Sequence, residues 1–248
     1  VYGGDGNSIG SAGTIYREKQ GDVPGRGELI VDNFAGATIY GVNTDLNGVE
    51  AVTCEFSRIS LTNGANLSIG PDDTLIITNT VLSGAGCLSN GIWISGGTLR
   101  APPAFVYSNI FIGISATGST FSPATSLAIV TNAIFLVNQP HVMSGDVIIE
   151  AGGNLTHTVN GSTEAYKMNL GINGSLTVQT GGSVDVTARG YLKGNGPGAG
   201  SPGGSYGGRG YFGGQCYGSI VAPTNLGSGG TYDAGGGAIL LTVSGTIS

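Results

Sequence analysis

Between Leu170 and Leu192 the chain reads LGINGSLTVQTGGSVDVTARGYL, and its apolar residues fall in pairs two positions apart: Leu170/Ile172, Leu176/Val178 and Val184/Val186. An apolar side chain at every second residue marks a short strand with one face buried. Glycine-containing turns separate the pairs. The same pattern recurs in ANLSIGPDDTLIITN, as Leu67/Ile69 and Leu75/Ile77, and in SGDVIIEAGGNLTHTVNG, as Val147/Ile149 and then Leu155. It also marks GIWISGGTLRAP and GELIVDNFAGATIYGV.

The close succession of these strands separates two architectures. Strands of a sandwich or barrel meander recur about every 8 to 12 residues, and the pairs here follow one another more tightly. Strands of about three to five residues fit better on the sides of a coil that advances about 4.8 Å per turn. The predicted fold is therefore all-β: one parallel β-helix, or β-solenoid, domain over residues 1–248, with about 20 to 25 residues per coil.

One segment breaks the alternation. Residues 190–237 are dominated by glycine, and the predicted arrangement is a long excursion over one face or a stack of extended glycine-rich segments. Its aromatics, Tyr191, Tyr206, Tyr211, Phe212, Tyr217 and Tyr232, argue for a tract packed on the solenoid. Covering the flank is the expected role of these rings, ahead of stacking on sugars.

Composition supports strands over helices. The chain holds 48 Gly and only 10% charged residues, against an average near 25%. Its surface must be covered by Thr, Ser, Asn and Gly, which suit strands and turns. The net charge of -6 comes without a basic cluster, which excludes nucleic acid as a partner. From Thr74 to Gly145 the single charged residue is Arg100, so little electrostatic repulsion opposes self-association. No apolar run is long enough to span a bilayer, since AIFLVNQP is broken by Asn138 and Pro140. The chain has no initiator Met and no signal peptide, so an exported protein is expected to have lost its leader.

The candidate chemistry is sparse. Cys54, Cys87 and Cys216 are too few and too scattered for a metal site. Buried thiols are the plain reading; a bridge, foremost Cys54 with Cys87, is the alternative and would indicate an oxidising compartment. Cleavage of polysaccharides requires converging carboxylates, and the adjacent pair Asp72 and Asp73 sits in GPDDT, a turn sequence. His141 and His157 have no partner at motif spacing, so no enzyme is expected. NTDLNG places Asn43, Asp45 and Asn47 at alternate positions, like the first half of a calcium loop. Cys54 stands where the closing Glu belongs, so an Asx-rich turn is the plainer reading, and no other cofactor is expected. Asn66, Asn154, Asn160 and Asn173 begin Asn-x-Ser/Thr sequons and are candidate glycosylation sites.

Reading the end into the beginning, AGGGAILLTVSGTIS followed by VYGGDGNSIGSAGTIYREKQGDVPGRGELIVDN forms one continuous phrase of strands and turns. At Gly235 to Ile247, Gly3 to Gly6, Ala12 to Tyr16 and Gly27 to Asn33, it resembles the glycine-rich repeats of very large bacterial and archaeal surface proteins, adhesin-like or filament-forming. The resemblance covers roughly a quarter of the chain. It implies an extracellular parallel β-helix with a structural or adhesive role, and it carries no catalytic residues.

Soluble solenoids cap their ends with a polar repeat or a helix, and neither end of this sequence reads as a cap. Two different uncapped surfaces propagate as a fibre instead of closing as a dimer. The expected function is a structural subunit of an extracellular filament or surface fibre, joined head to tail to copies of itself. The expected interface places Val1, Tyr2, Ile9, Ile15 and Tyr16 of one copy against Ile239, Leu241, Val243 and Ile247 of the next. A carbohydrate-binding adhesin segment, with polysaccharide or glycans as partner, is the alternative, followed by a polysaccharide-active enzyme.

Overall fold

The computed structural model describes residues 13–33, 43–46, 51–85 and 89–248. Among these residues the regular elements are all strands, so the protein is all-β. Apart from one antiparallel hairpin, Gly13–Arg17 with Glu28–Asp32, the strands pair in parallel.

The largest sheet has seven strands, in the order Ser183–Val184, Asn154–Thr156, Ile134–Val137, Phe111–Ile114, Gly91–Ile94, Asn66–Ile69 and Thr44–Asp45. A five-stranded sheet runs Leu176–Val178, Asp146–Ile149, Ser126–Ile129, Ala104–Ser108 and Val81–Ser83. Three smaller sheets join Gly13–Arg17, Glu28–Asp32 and Arg58–Thr62; Thr98–Arg100, Thr74–Ile77 and Thr53–Phe56; and His141–Met143, Met168–Ile172 and Ile239–Val243.

The chain visits these sheets in turn. Asn66–Ile69, Thr74–Ile77 and Val81–Ser83 each lie in a different sheet, and Gly91–Ile94 then returns to pair with Asn66–Ile69. A meander, whose strands pair with their sequence neighbours, is excluded by this route. The register stacks like on like: Leu67, Ile92, Ile112, Phe135 and Leu155 align across the seven-stranded sheet, and all five are buried. A second column aligns Phe105, Leu127, Val147 and Leu176, also buried. Stacked columns of this kind bring every inward side chain against its counterpart one strand away. Each such Leu or Ile contributes roughly 1.5 to 3 kcal/mol by leaving water.

Polar residues hold the corners. Asn109 and Asn132 take positive φ angles of 55° and 53°, a conformation Asn tolerates better than other side chains. Asp72 is likewise left-handed, at φ 67°. Its neighbour Asp73 is buried and accepts a hydrogen bond from the Val52 amide at 3.0 Å. This pair is therefore turn chemistry.

The sequence phrase through Tyr16 into Gly27 to Asn33 predicts successive parts of one parallel coil. Instead Gly13–Arg17 doubles back against Glu28–Asp32. Two turns reverse it, with Asp22 N donating to Lys19 O and Arg26 N to Val23 O, and Gly21 and Gly25 at φ 96° and 78°.

Between Val184 and Ile239 there is no strand, yet residues 190–237 are ordered by backbone hydrogen bonds between extended segments. Gly190 N donates to Gly235 O at 2.7 Å, Gly235 N to Tyr191 O at 2.9 Å, and Tyr191 N to Gly227 O at 3.0 Å. These bonds bring the segments at 190–191, 227 and 235 side by side. Glycine is required for the spacing: a Cβ on Gly235 would stand 1.9 Å from the Gly227 carbonyl oxygen. The tract has its own interior of Leu226, Ser205 and Ser228. It is tied to the preceding loop by Leu192 N to Gly161 O, and by Lys167 Nζ to Thr224 O at 2.9 Å.

Candidate functional site

The strand Ile239–Val243 is the outermost of its sheet. On one side it pairs with Met168–Ile172; on the other no described residue pairs with it. Met168 N donates to Ala238 O and Ser244 N to Ile172 O. In a parallel ladder alternate residues face the partner, so the amides and carbonyls of Ile239, Leu241 and Val243 face the open edge. Leu241 and Val243 pack partly against the core, whereas Ile239 and Leu240 are exposed. Ile247 forms an isolated bridge with Leu176 and is also exposed.

Ile15 and Tyr16 lie in a different sheet, on the antiparallel strand, and both are exposed. Val1, Tyr2 and Ile9 lie outside the described residues. Thus Ile239, Leu241 and Val243 share one edge, while Ile15 and Tyr16 share another.

Two concavities flank the open strand. A cavity of about 290 Å³ is lined by Asn138, Pro140, Lys167, Ala238, Ile239 and Leu240. A groove of about 640 Å³ crosses the same sheet among Thr120, Ser122, Asn169, Asn173, Thr242 and Ser244. His141 also lines the groove; its Nε2 meets the Phe121 carbonyl at 2.6 Å, and burial holds its pKa below the ordinary histidine value.

His157 is fully buried just past Asn154–Thr156. Its Nδ1 donates to Thr158 O at 2.8 Å, its Nε2 has no partner, and burial lowers its pKa. The guanidinium of Arg189 donates to the His157 carbonyl at 2.8 Å. This histidine is a packing residue.

Asn43 and Asp45 lie about Thr44–Asp45, paired with Leu67–Ser68, and Asn47 lies outside the described residues. No group of three or more His, Cys, Asp or Glu able to hold a metal occurs among the described residues. Cys54 and Cys216 are free thiols, half buried and exposed, so neither is the fully buried thiol expected, and Cys87 lies outside the described residues. Burial pushes the Cys54 thiol pKa up.

The four sequons divide sharply. Asn160 is buried, its Nδ2 donating to Tyr166 O and Arg189 O and its Oδ1 accepting from Ala165 N and Tyr166 N, all at 2.8 Å. A glycan on Nδ2 would break this clamp, so Asn160 is withdrawn as an acceptor. Asn66 and Asn154 are half-buried strand residues; Asn173 is exposed.

A polar cluster not singled out from sequence anchors the hairpin. Arg17 pairs with Glu28 at 2.5 Å, Arg58 with Asp22 at 2.7 Å, and Arg26 with Glu55 at 3.0 Å. Ser60 Oγ donates to Glu28 at 2.6 Å. The Arg58 hydrogen bond holds the Asp22 carboxyl down at about 2, and Ser60 and then Arg17 lower Glu28. Its signal in the sequence is the crowding of carboxylates and arginines before Pro71.

No helix among the described residues is long and apolar enough to cross a membrane. No family model matches the chain, and no curated protein or solved structure gives a significant match.

Proposed function

We propose that the chain winds as a parallel β-solenoid and serves as a structural subunit of an extracellular filament or surface fibre, adding copies of itself along the solenoid axis. The cyclic order in which strands visit the sheets, with like residues stacked in register, supports the solenoid. The observation that carries the assembly is the one-sided pairing of Ile239–Val243. An edge of that kind templates a further strand, and the exposed Ile239 and Leu240 beside it supply apolar contact. The opposite contact falls to the antiparallel Gly13–Arg17, whose outer side pairs with no described residue. A low charge content removes the usual electrostatic obstacle to stacking.

The test introduces charge at the edge. Leu240→Lys with Thr242→Lys alters side chains on the outer side of the strand, a device that blocks edge pairing in natural sheets. Electron microscopy and sedimentation of the parent protein should show filaments, and the double variant should give short or monomeric species with unchanged β circular dichroism. A parent protein that stays monomeric at high concentration refutes the proposal. The adhesin reading draws its support from the uncharged groove beside the same strand.

A further inference from the structure

Three aromatic side chains of the glycine-rich tract stand out into solvent: Tyr211 is 74% exposed, Phe212 72% and Tyr232 78%. Tyr191, Tyr206 and Tyr217 are instead half buried, with Tyr206 edge-on to Tyr217 at 5.2 Å between centroids. The half-buried three pack within the tract itself, with Tyr217 Oη donating to Leu226 O and accepting from Ser228 Oγ.

Phe212 combines exposure with strain. Its φ is 47°, a left-handed conformation that costs a bulky residue about 1 to 3 kcal/mol. Glycine would occupy it freely, and glycine is the commonest residue around it. The loop is nonetheless firmly built. Gly213 N donates to Gly210 O at 2.8 Å, and Gly203 N to Tyr211 O at 3.2 Å. Ser205 Oγ accepts from Gly210 N at 3.1 Å and donates to Gly214 O at 2.9 Å. The rings of Tyr211 and Phe212 are thereby fixed 4.5 Å apart at 60° to each other. Tyr232 follows Thr231, whose amide donates to Pro202 O at 3.0 Å, beside the Gly203 that contacts Tyr211. The three rings therefore rise from adjacent segments.

The size and charge of this patch select its occupant. A fully buried aromatic covers about 150 to 250 Å², so three rings exposed by about three-quarters offer roughly 300 to 550 Å². A stable protein interface needs about 800 Å² from each partner, which disfavours a second copy. From Gly194 to Tyr232 the only charged residue is Arg209, too little for a nucleic acid, whose phosphates require several basic residues. What fits is a small ring with an apolar C–H face and hydroxyl edges, matched by flat aromatic faces and two tyrosine hydroxyls. We infer that Tyr211, Phe212 and Tyr232 form a stacking site for hexose rings of a neutral polysaccharide. The inference stands independently of the filament proposal.

The test uses the full chain with cellohexaose, maltohexaose and mannohexaose as probes, followed by calorimetric titration. At least one should bind, and Phe212→Gly should weaken it tenfold or more while leaving the unfolding temperature equal or higher, because glycine relieves the strain. Tyr232→Ala should weaken the same sugar. Failure of all three sugars to bind overturns the inference. So does a lowered unfolding temperature in Phe212→Gly, which would make the ring a packing residue. Loss of self-association in that variant, with sugar affinity unchanged, assigns the patch to a second copy and likewise overturns it.

Discussion

The imidazole of His157 and the backbone of Gly237 meet so closely that a Cβ on residue 237 would stand 2.3 Å from His157 Nε2 and 2.8 Å from Val186 Cβ. Gly237 also donates its amide to Val186 O at 2.9 Å, where the glycine-rich tract rejoins the last sheet. Gly237→Ala should therefore overpack this junction and cost about 1 to 3 kcal/mol. Gly236→Ala, where nothing lies within 4 Å, should stay within about 0.5 kcal/mol. Urea denaturation of both variants provides the comparison, and equal midpoints would show that the junction is loose.

The burial of this histidine makes stability depend on pH. Burial lowers the His157 pKa from 6.5, as it does that of His141. The unfolded chain then binds protons that the folded chain refuses, so stability is complete above about 6.5 and falls as pH drops toward the folded value. The cationic Arg189 beside His157 acts in the same direction. Thermal unfolding between pH 8 and 5 should show this loss, and His157→Gln should flatten part of it. A slope identical in that variant would assign the dependence to other groups.

Strand positions were legible because the side-chain period of two survives in short segments: Leu67/Ile69 and Leu75/Ile77 lie buried in strands, and Leu176/Val178 lies in one with Leu176 buried and Val178 partly buried against the core. The glycine-rich tract left no such trace, since its order lies in backbone groups that approach through absent side chains, as at Gly235. The reversal at Gly13–Arg17 was hidden by the apolar Ile15, which suits a parallel or an antiparallel strand equally. Phe212 could not be singled out by composition; its distinction is a backbone angle.

Glycosylation offers a separate check of burial. In a host that glycosylates secreted proteins, Asn173 should be modified on the folded chain, because its side chain is exposed beside Gly174. Asn160, with both amide groups engaged, should remain bare. Peptide mass spectrometry separates the two sites. A glycan on Asn160 in folded material would contradict its clamp.

The hairpin cluster predicts a second, more acidic transition. Arg58 holds Asp22 near 2, below its ordinary 3.8, so this carboxylate contributes stability that is complete above about 4 and is lost as pH falls toward 2. The window is distinct from that of the histidines. Arg58 also approaches Glu28 at 3.9 Å, and Glu28 is largely buried; removing Arg58 leaves its charge with Arg17 and Ser60 alone. Arg58→Met should therefore loosen Gly13–Arg17 from its neighbour before the stacked core responds, because Gly13–Arg17 is largely exposed whereas the adjoining strands are held by the buried Leu29, Val31, Ile59 and Leu61. Limited proteolysis at Lys19 and Arg26 should accelerate in the variant at neutral pH, and the parent should acquire the same sensitivity to an acid-active protease near pH 2 to 3. If cleavage in the loop is unchanged while global unfolding shifts, the cluster supports the whole fold and not the hairpin alone.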